Sequence, residues 1–281
     1  MSCGHLYIVA TPIGNLADIS YRAVELLKSV DLIAAEDTRH SRYLLTHYQI
    51  STPCMSLHDH NETQRSEQLV YRLLSGENIA LISDAGTPLI SDPGFRLVSR
   101  ARDEGVVVSP IPGACAAIAA LSVAGLPTDQ FFFDGFLPAK SAGRRQRLTE
   151  LSDKPCTLVF YESTHRILAM LRDMQDVLGE RRITLARELT KKFETVLSGS
   201  IEEVLAILMS DSNQQKGEFV VMVAGLAKST EDAEGLNISG EHRRLLSLLA
   251  PELPPKKAAA IVSEISGISK RIIYNMLLEN K

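Results

Sequence analysis

Over residues 1–125 short apolar, β-rich runs alternate with stretches of helical spacing, and few folds accommodate that rhythm. Residues 6–10, 31–35, 53–57, 78–83 and 106–109 read as strands. Residues 20–29, 39–48, 61–74, 95–104 and 114–124 read as the helices between and after them. Such alternation builds βα units around a mainly parallel sheet, because a parallel neighbour is reached only through a crossover. Gly125, with Pro127 just beyond, stops the last helix.

A second α/β region follows with a different rhythm. Residues 131–136, 157–161, 183–188, 194–198 and 219–224 read as strands, with helices at 144–151, 167–178 and 201–209. Two successive strand signals flank Lys191-Lys192, which predicts a hairpin and some antiparallel pairing. The polar stretch 229–240 reads as a linker. Beyond it, three helices (241–249, 256–265 and 270–279) surround the turn Ser266-Gly267-Ile268-Ser269. That is a helix-turn-helix plan, or equally a three-helix cap that supports a dimer. The expected organisation is a 1–125 α/β domain, a 126–228 α/β domain, the linker, and a 241–281 helical domain.

At 281 residues the chain exceeds what one core usually holds, in keeping with that division. Cys3, Cys54, Cys115 and Cys156 stand far apart without a CxxC pair. A zinc site or a disulfide framework is therefore not expected, and a reducing cytoplasm fits. No basic flank and apolar leader precede the first strand, so no secretory signal is expected. Residues 106–128 carry no charge, but Pro110, Pro112 and Gly113 break them into a strand, a turn and a helix rather than a membrane span. Net charge is −4, yet residues 241–281 carry +3, leaving −7 for the rest. Lys256, Lys257, Lys270 and Arg271 are thus candidates for phosphate contact, or the solvated face of ordinary helices.

The loop Asp84-Ala85-Gly86-Thr87-Pro88-Leu89-Ile90-Ser91-Asp92-Pro93-Gly94 lies between the 78–83 strand and the 95–104 helix. Its glycines admit positive φ and close backbone approach while its prolines stiffen the rest. It is either a tight turn or a ligand cradle at the carboxyl end of a strand, where open α/β sheets bind ligands. No GxGxxG, Walker A or GxSxG motif occurs, which disfavours nicotinamide Rossmann enzymes, P-loop NTPases and serine hydrolases. The second strand ends in Glu36-Asp37-Thr38-Arg39-His40, where Asp37 and His40 can act as base or orienter and Thr38 can cap a helix. His58-Asp59-His60 has the spacing of a metal pair but lacks a third ligand, so no metal is expected. Lys140, Arg144, Arg145 and Arg147 form a basic run that can grip RNA phosphates or simply be solvated.

Taken together, Ala10-Thr11-Pro12-Ile13-Gly14-Asn15-Leu16, Ala35-Glu36-Asp37-Thr38-Arg39, the 83–94 segment and Pro112-Gly113-Ala114 resemble one family. It is the class III, tetrapyrrole-methylase-like S-adenosylmethionine-dependent methyltransferases. The similarity spans residues 5–225 and is greatest to the branch that methylates a cytidine ribose 2′-hydroxyl in 16S small-subunit ribosomal RNA. The resemblance implies a homodimer of chains with two α/β domains and S-adenosylmethionine in the cleft between them. It implies a donor cradle from Pro12, Asp84, Gly86, Thr87, Pro88, Leu89 and Ile90, with Cys115 and Ala116 lining the adenosine pocket. Phe160, Tyr161, Arg187, Leu189, Glu218 and Phe219 match further cleft segments. Thr87 stands where tetrapyrrole methylases carry an aspartate, which weakens a porphyrinoid substrate.

A ribose hydroxyl needs a proton acceptor, and Asp37, Glu36, Glu188 and His40 are the candidates, with Asp37 and Glu188 preferred. Arg39, Arg187, Lys191 and Lys192 are expected to hold RNA phosphate near the cleft. Two other readings compete: a small-molecule, tetrapyrrole-type methylase, and a non-enzymatic nucleic-acid regulator. The basic tail argues against the first, and an α/β cleft of this size is superfluous in the second.

Overall fold

The computed structural model describes residues 3–226 and 240–279. The first lobe runs β1 (His5–Val9), α1 (Tyr21–Ser29), β2 (Leu32–Ala35), α2 (Thr38–His47), β3 (Cys54–Ser56), α3 (Glu62–Leu74), β4 (Ile79–Ile82), α4 (Phe95–Asp103) and β5 (Val107–Ile111). Its sheet has the order β3-β2-β4-β1-β5, parallel throughout. All four residues of β4 are buried: Ile79 and Leu81 face the core under α3 and α4, while Ala80 and Ile82 face the core under α1 and α2. A parallel sheet covered on both faces needs such continuous apolar strands. The strand expected at 106–109 instead runs through Pro110 to Ile111. β5 is an edge strand, where a missing N–H can point away from the sheet.

The helix α5 (Ala116–Val123) leads into the second lobe. There follow β6 (Phe131–Phe136), α6 (Ser141–Leu151), β7 (Thr157–Ser163), α7 (Ile167–Leu178), β8 (Arg182–Arg187), β9 (Thr195–Ser200), α8 (Ile201–Ser210) and β10 (Glu218–Val223). The sheet order is β6-β7-β10-β8-β9, with β6–β7 parallel and the remaining pairs antiparallel. The expected hairpin around Lys191-Lys192 is β8–β9. One face of this sheet packs on α6, α7 and α8 around Phe160, Met170 and Val221. The other packs on α5, where Ala117, Ala120 and Leu121 meet Val159, Ala186, Val220 and Met222. By packing, then, α5 belongs to the second lobe, although the expected boundary at 125 assigns it to the first.

Residues up to Gly225 form one compact unit and the tail a second. Within the tail, α9 (Gly240–Leu249), α10 (Pro255–Ser266) and α11 (Lys270–Glu279) close on Leu246, Ala259, Val262 and Ile273. Gly267 caps α10 with φ +71°, a left-handed position that suits glycine. The expected linker lies outside the described residues except at Gly240. No described helix is long and apolar enough to cross a membrane.

Candidate active site

At the carboxyl ends of β4 and β1 a cavity of about 350 Å³ opens between the two lobes. That is within the roughly 300–1,000 Å³ of small-molecule sites. Its first wall is the loop after β4. Gly86, Leu89, Ser91 and Gly94 all have positive φ, at +84°, +74°, +68° and +128°. For leucine and serine that conformation costs about 1–3 kcal/mol each, so the surroundings must hold it. They do so at three points. Gly86 and Thr11 exchange two backbone hydrogen bonds of 2.9 and 3.1 Å. The Thr87 hydroxyl donates to the Ala114 carbonyl at 3.0 Å. The buried Glu62 carboxylate accepts from the Gly94 and Arg96 amides at 3.0 and 2.9 Å, capping α4 where Gly94 has no side chain to do it.

The second wall comes from the other lobe: Cys115 and Ala116 at the start of α5, Phe136 at the end of β6, Tyr161 and Ser163 on β7, and Leu189 beyond β8. The Tyr161 hydroxyl accepts from the Ala117 amide at 3.1 Å. Burial, reinforced by the neighbouring Cys115, pushes that hydroxyl well above the usual tyrosine range. Two contacts tie the lobes together around the opening. The first is a hydrogen bond, from the Asn15 amide to Thr190 Oγ1 at 3.1 Å; the second is a close approach with no bond, where Gly135 leaves so little room that a methyl on it would stand 2.9 Å from Ser91 Oγ.

Acids dominate the electrostatics. The strand ends interlock through carboxylates: the Asp84 amide donates to Glu36 Oε2 at 3.3 Å, and the Asp37 amide to Asp84 Oδ1 at 3.1 Å. Burial raises the Glu36 carboxyl above its ordinary range, with Asp84 and Asp59 adding repulsion against the Asp84 amide. Asp92 is pushed up to about 6 by burial and by Glu36, Asp84 and Asp59. Among the described residues, no lysine or arginine borders the cavity. Small residues leave the room: Ala85, Gly86, Ala116 and Ala186 all border it, and a methyl on Gly86 would meet Ile13 Cγ2 at 3.3 Å. A cavity of this size, lined by small residues and net acidic, fits a nucleoside that carries a sulfonium and an ammonium.

Of the expected donor-binding residues, Asp84, Gly86, Thr87, Ile90, Cys115, Ala116, Tyr161, Leu189, Glu218 and Phe219 border the cavity. Pro12, Pro88, Leu89, Phe160 and Arg187 do not. Strand alternation sends Phe160 into the opposite core when Tyr161 faces the cleft. Leu89 packs on the first-lobe core, and the buried Arg187 donates to the Lys216 and Phe193 carbonyls, which also removes it from RNA contact.

Of the expected proton acceptors only Glu36 borders the cavity. Asp37 caps α2 and pairs with Arg39 at 3.1 Å, which holds its carboxyl down near about 2. His40 is exposed on α2. Glu188 turns to the Glu218 amide and to Lys191, both at 3.0 Å. Arg144 drops out of the basic run by burial, Lys140 stays exposed, and Arg145 and Arg147 are partly exposed in ion pairs. Arg144 is 3% exposed and pairs with Asp173 at 2.6 Å, Arg145 pairs with Asp176, and Arg147 pairs with Asp134 and Glu150. Lys191 is held by Glu188 and Glu218, whereas Lys192, Lys256, Lys257, Lys270 and Arg271 are exposed. Ile13, Ser91, Asp92, Phe136 and Ser163 also border the cavity, though sequence reasoning did not place them in the site. Ser91 and Asp92 lie within the stiff 84–94 loop itself, and Phe136 ends a predicted strand, so the strand-end rule reaches all three.

Residues 5–205 match the model of the Tetrapyrrole (Corrin/Porphyrin) Methylases, and residues 237–281 match that of the RsmI C-terminal HTH domain. The chain is 55% identical over 282 residues to Ribosomal RNA small subunit methyltransferase I of Pseudomonas aeruginosa, covering 100% of this chain and 99% of the relative. The protein of the same name from Synechocystis is 47% identical over 277 residues, covering 98% of each. Among solved structures, uroporphyrin-III C-methyltransferase from Thermus thermophilus superposes with a TM-score of 0.55 at 18% identity, over 82% of this chain and 98% of the other. Diphthine synthase superposes with a TM-score of 0.60 at 14% identity, over 79% and 90%. With that architecture, a donor-sized cleft between its lobes and the family model matched over most of its length, the chain belongs to the tetrapyrrole methylase family of S-adenosylmethionine-dependent methyltransferases.

Proposed function

We propose that this protein methylates the 2′-hydroxyl of a cytidine ribose in small-subunit ribosomal RNA, as a cytoplasmic homodimer. One observation carries the reading: a single chain couples an acidic, donor-sized cleft to a helical tail with Lys256, Lys257, Lys270 and Arg271 exposed. Relatives that match it end to end are named for small-subunit ribosomal RNA methylation.

When bound, S-adenosylmethionine supplies an electrophilic methyl on a sulfonium. The chain's own residues do the rest. Gly86, Thr87 and Ile90 on the rigid loop, with Cys115, Ala116 and Tyr161 opposite, would hold the donor. Cavity-wall carboxylates favour a cationic ligand over a neutral one of the same shape, since opposite charges attract more strongly in a partly dry cleft. Alignment of donor and acceptor by two walls fixed to each other supplies much of the acceleration. Lys192 and the exposed tail cations would grip phosphate without reading sequence.

The test is to incubate the protein with tritiated methyl donor and, separately, small-subunit particles, free ribosomal RNA and small tetrapyrroles. Label is expected in RNA, within dinucleotides that resist alkali, because a methylated 2′-oxygen cannot attack its phosphate. Label in alkali-labile nucleotides, or in the tetrapyrroles alone, overturns the reading.

A further inference from the structure

We propose that Asp92 accepts the proton of the ribose hydroxyl during methyl transfer, an assignment that rests on the reading just given. Five acidic residues border the cavity: Glu36, Asp84, Asp92, Glu162 and Glu218. Two of them are ion-paired and two accept the backbone amides that interlock the strand ends. Asp84 accepts from the Asp37 amide at 3.1 Å, and Glu36 from the Asp84 amide at 3.3 Å. The Glu162 side chain is fully buried, accepts from the Ser163 amide at 2.9 Å and lies 3.1 Å from the Arg166 guanidinium. Glu218 is 76% exposed and pairs with Lys191 at 2.8 Å. Asp92, like Glu36 and Asp84, makes no ion pair among the described residues, and it differs from them in meeting the Ser83 hydroxyl rather than a strand-end backbone amide. It borders the cavity on the loop after β4, next to Ser91, whose Oγ lies close to Gly135 of the second lobe.

Its backbone runs from left-handed Ser91 into buried Pro93, whose ring fixes φ, within a loop anchored at Gly86, Thr87 and Gly94. A proton acceptor must be fixed in this way to act without reorganising. The titratable groups facing it are Glu36, Asp84 and Asp59 from the first lobe and the neutral Tyr161 from the second. Burial, with the Glu36, Asp84 and Asp59 charges and against the lowering effect of the Ser83 hydroxyl, lifts it to about 6, which leaves it ionised at neutral pH yet more basic than an ordinary carboxylate. In the step, Asp92 takes the hydroxyl proton while the oxygen pair forms the O–CH₃ bond. The S–CH₃ bond breaks with its electron pair passing to sulfur, and Asp92 then returns the proton to solvent.

The full-length Asp92→Asn variant tests this. Two quantities are measured: S-adenosylhomocysteine affinity by calorimetry, and single-turnover methylation of small-subunit particles from pH 5 to 9 at saturating donor. Expected is affinity within about threefold of wild type, a rate at pH 7.5 lowered on the order of 100-fold or more, and loss of the acid limb near pH 6 that wild type shows. A variant within fivefold of wild type, or a wild-type rate that is flat down to pH 5, overturns the assignment while leaving the methyltransferase reading intact. So does a variant that binds S-adenosylhomocysteine tenfold more weakly and recovers full rate at higher donor, because Asp92 then serves the donor. Should Asp92→Asn fail to fold, Asp92→Glu and the wild-type pH profile decide the matter. Wild type that labels no RNA at all removes the reading beneath it and the assignment with it.

Discussion

Arg144→Ala separates two roles for the same residue, a phosphate-gripping surface arginine and a buried structural one. The Arg144 side chain is 4% exposed and that of Asp173 is 10% exposed, with Nη2–Oδ2 and Nε–Oδ2 distances of 2.6 and 2.7 Å. Arg144 Nη1 also donates to the Ala139 carbonyl at 3.1 Å, tying the start of α6 to the segment before it. Removing the guanidinium strands the Asp173 carboxylate in the core. Such losses cost about 3–5 kcal/mol. Two neighbours soften this one: the Ser141 hydroxyl donates to Asp173 at 2.9 Å, and the half-exposed Arg145 lies 3.6 Å away. The low end, about 3 kcal/mol, is therefore expected, against roughly 0–1 kcal/mol for Arg145→Ala on the surface. For a unit of this size that is a fall in Tm of roughly 6–12 °C. Scanning calorimetry of both variants measures it. An Arg144→Met/Asp173→Leu double variant should recover part of the loss, since an apolar pair leaves no buried charge. Arg144→Ala that melts within about 2 °C of wild type and binds RNA with a shallower salt dependence would refute the buried-pair account.

Other consequences are equally direct. A methyl on Gly14 would run into the Lys191 stem and stand 3.0 Å from the Leu189 carbonyl oxygen. Gly14→Ala should therefore force the lobes apart and weaken S-adenosylhomocysteine binding by about tenfold, roughly 1.4 kcal/mol, as read by calorimetry. Because the Asp92 carboxyl is raised from 3.8 to about 6, the folded state favours its protonated form. Its burial penalty appears as pH rises through that window and is fully present above it. Asp92→Asn should thus have a higher Tm than wild type at pH 7.5 and a gain that shrinks toward zero as pH falls below 3.8; equal differences at pH 7.5 and at a pH below 3.8 contradict this. Replacing Lys256 and Lys257 with alanine should lower the slope of log RNA affinity against log salt by about one for each phosphate no longer neutralised, with methyl-donor affinity unchanged.

Much of the scaffold is legible in short stretches. The buried runs of β2 and β4 admit only a sheet covered on both faces, and Ser20 before α1 and Ser200 before α8 mark helix starts with the caps they provide. The loop after β4 announces its rigidity through its own glycines and prolines. The site was only partly legible, because facing depends on parity and partners. One residue's shift along β7 separates Tyr161, on the cleft, from Phe160, in the opposite core. Glu188 reads as a strand-end acid, yet its φ of +48° turns it toward the Glu218 amide and Lys191.

What the amino-acid order determined by itself is the set of elements, the stiff turn after β4 and the basic tail, since each depends on periodicity, φ restriction or charge within a few residues. What only the tertiary structure decided is which polar groups meet. Arg144 finds Asp173 29 residues away, Gly94 finds Glu62 across 32, and Asn15 finds Thr190 across 175. Those pairings turn Arg144 of the predicted RNA-binding run into a core tie, and they put Glu162 and Glu218 of the cleft into ion pairs while Glu36, Asp84 and Asp92 have none among the described residues. Burial and hydrogen bonding are properties of neighbours in space, and local sequence carries no record of them.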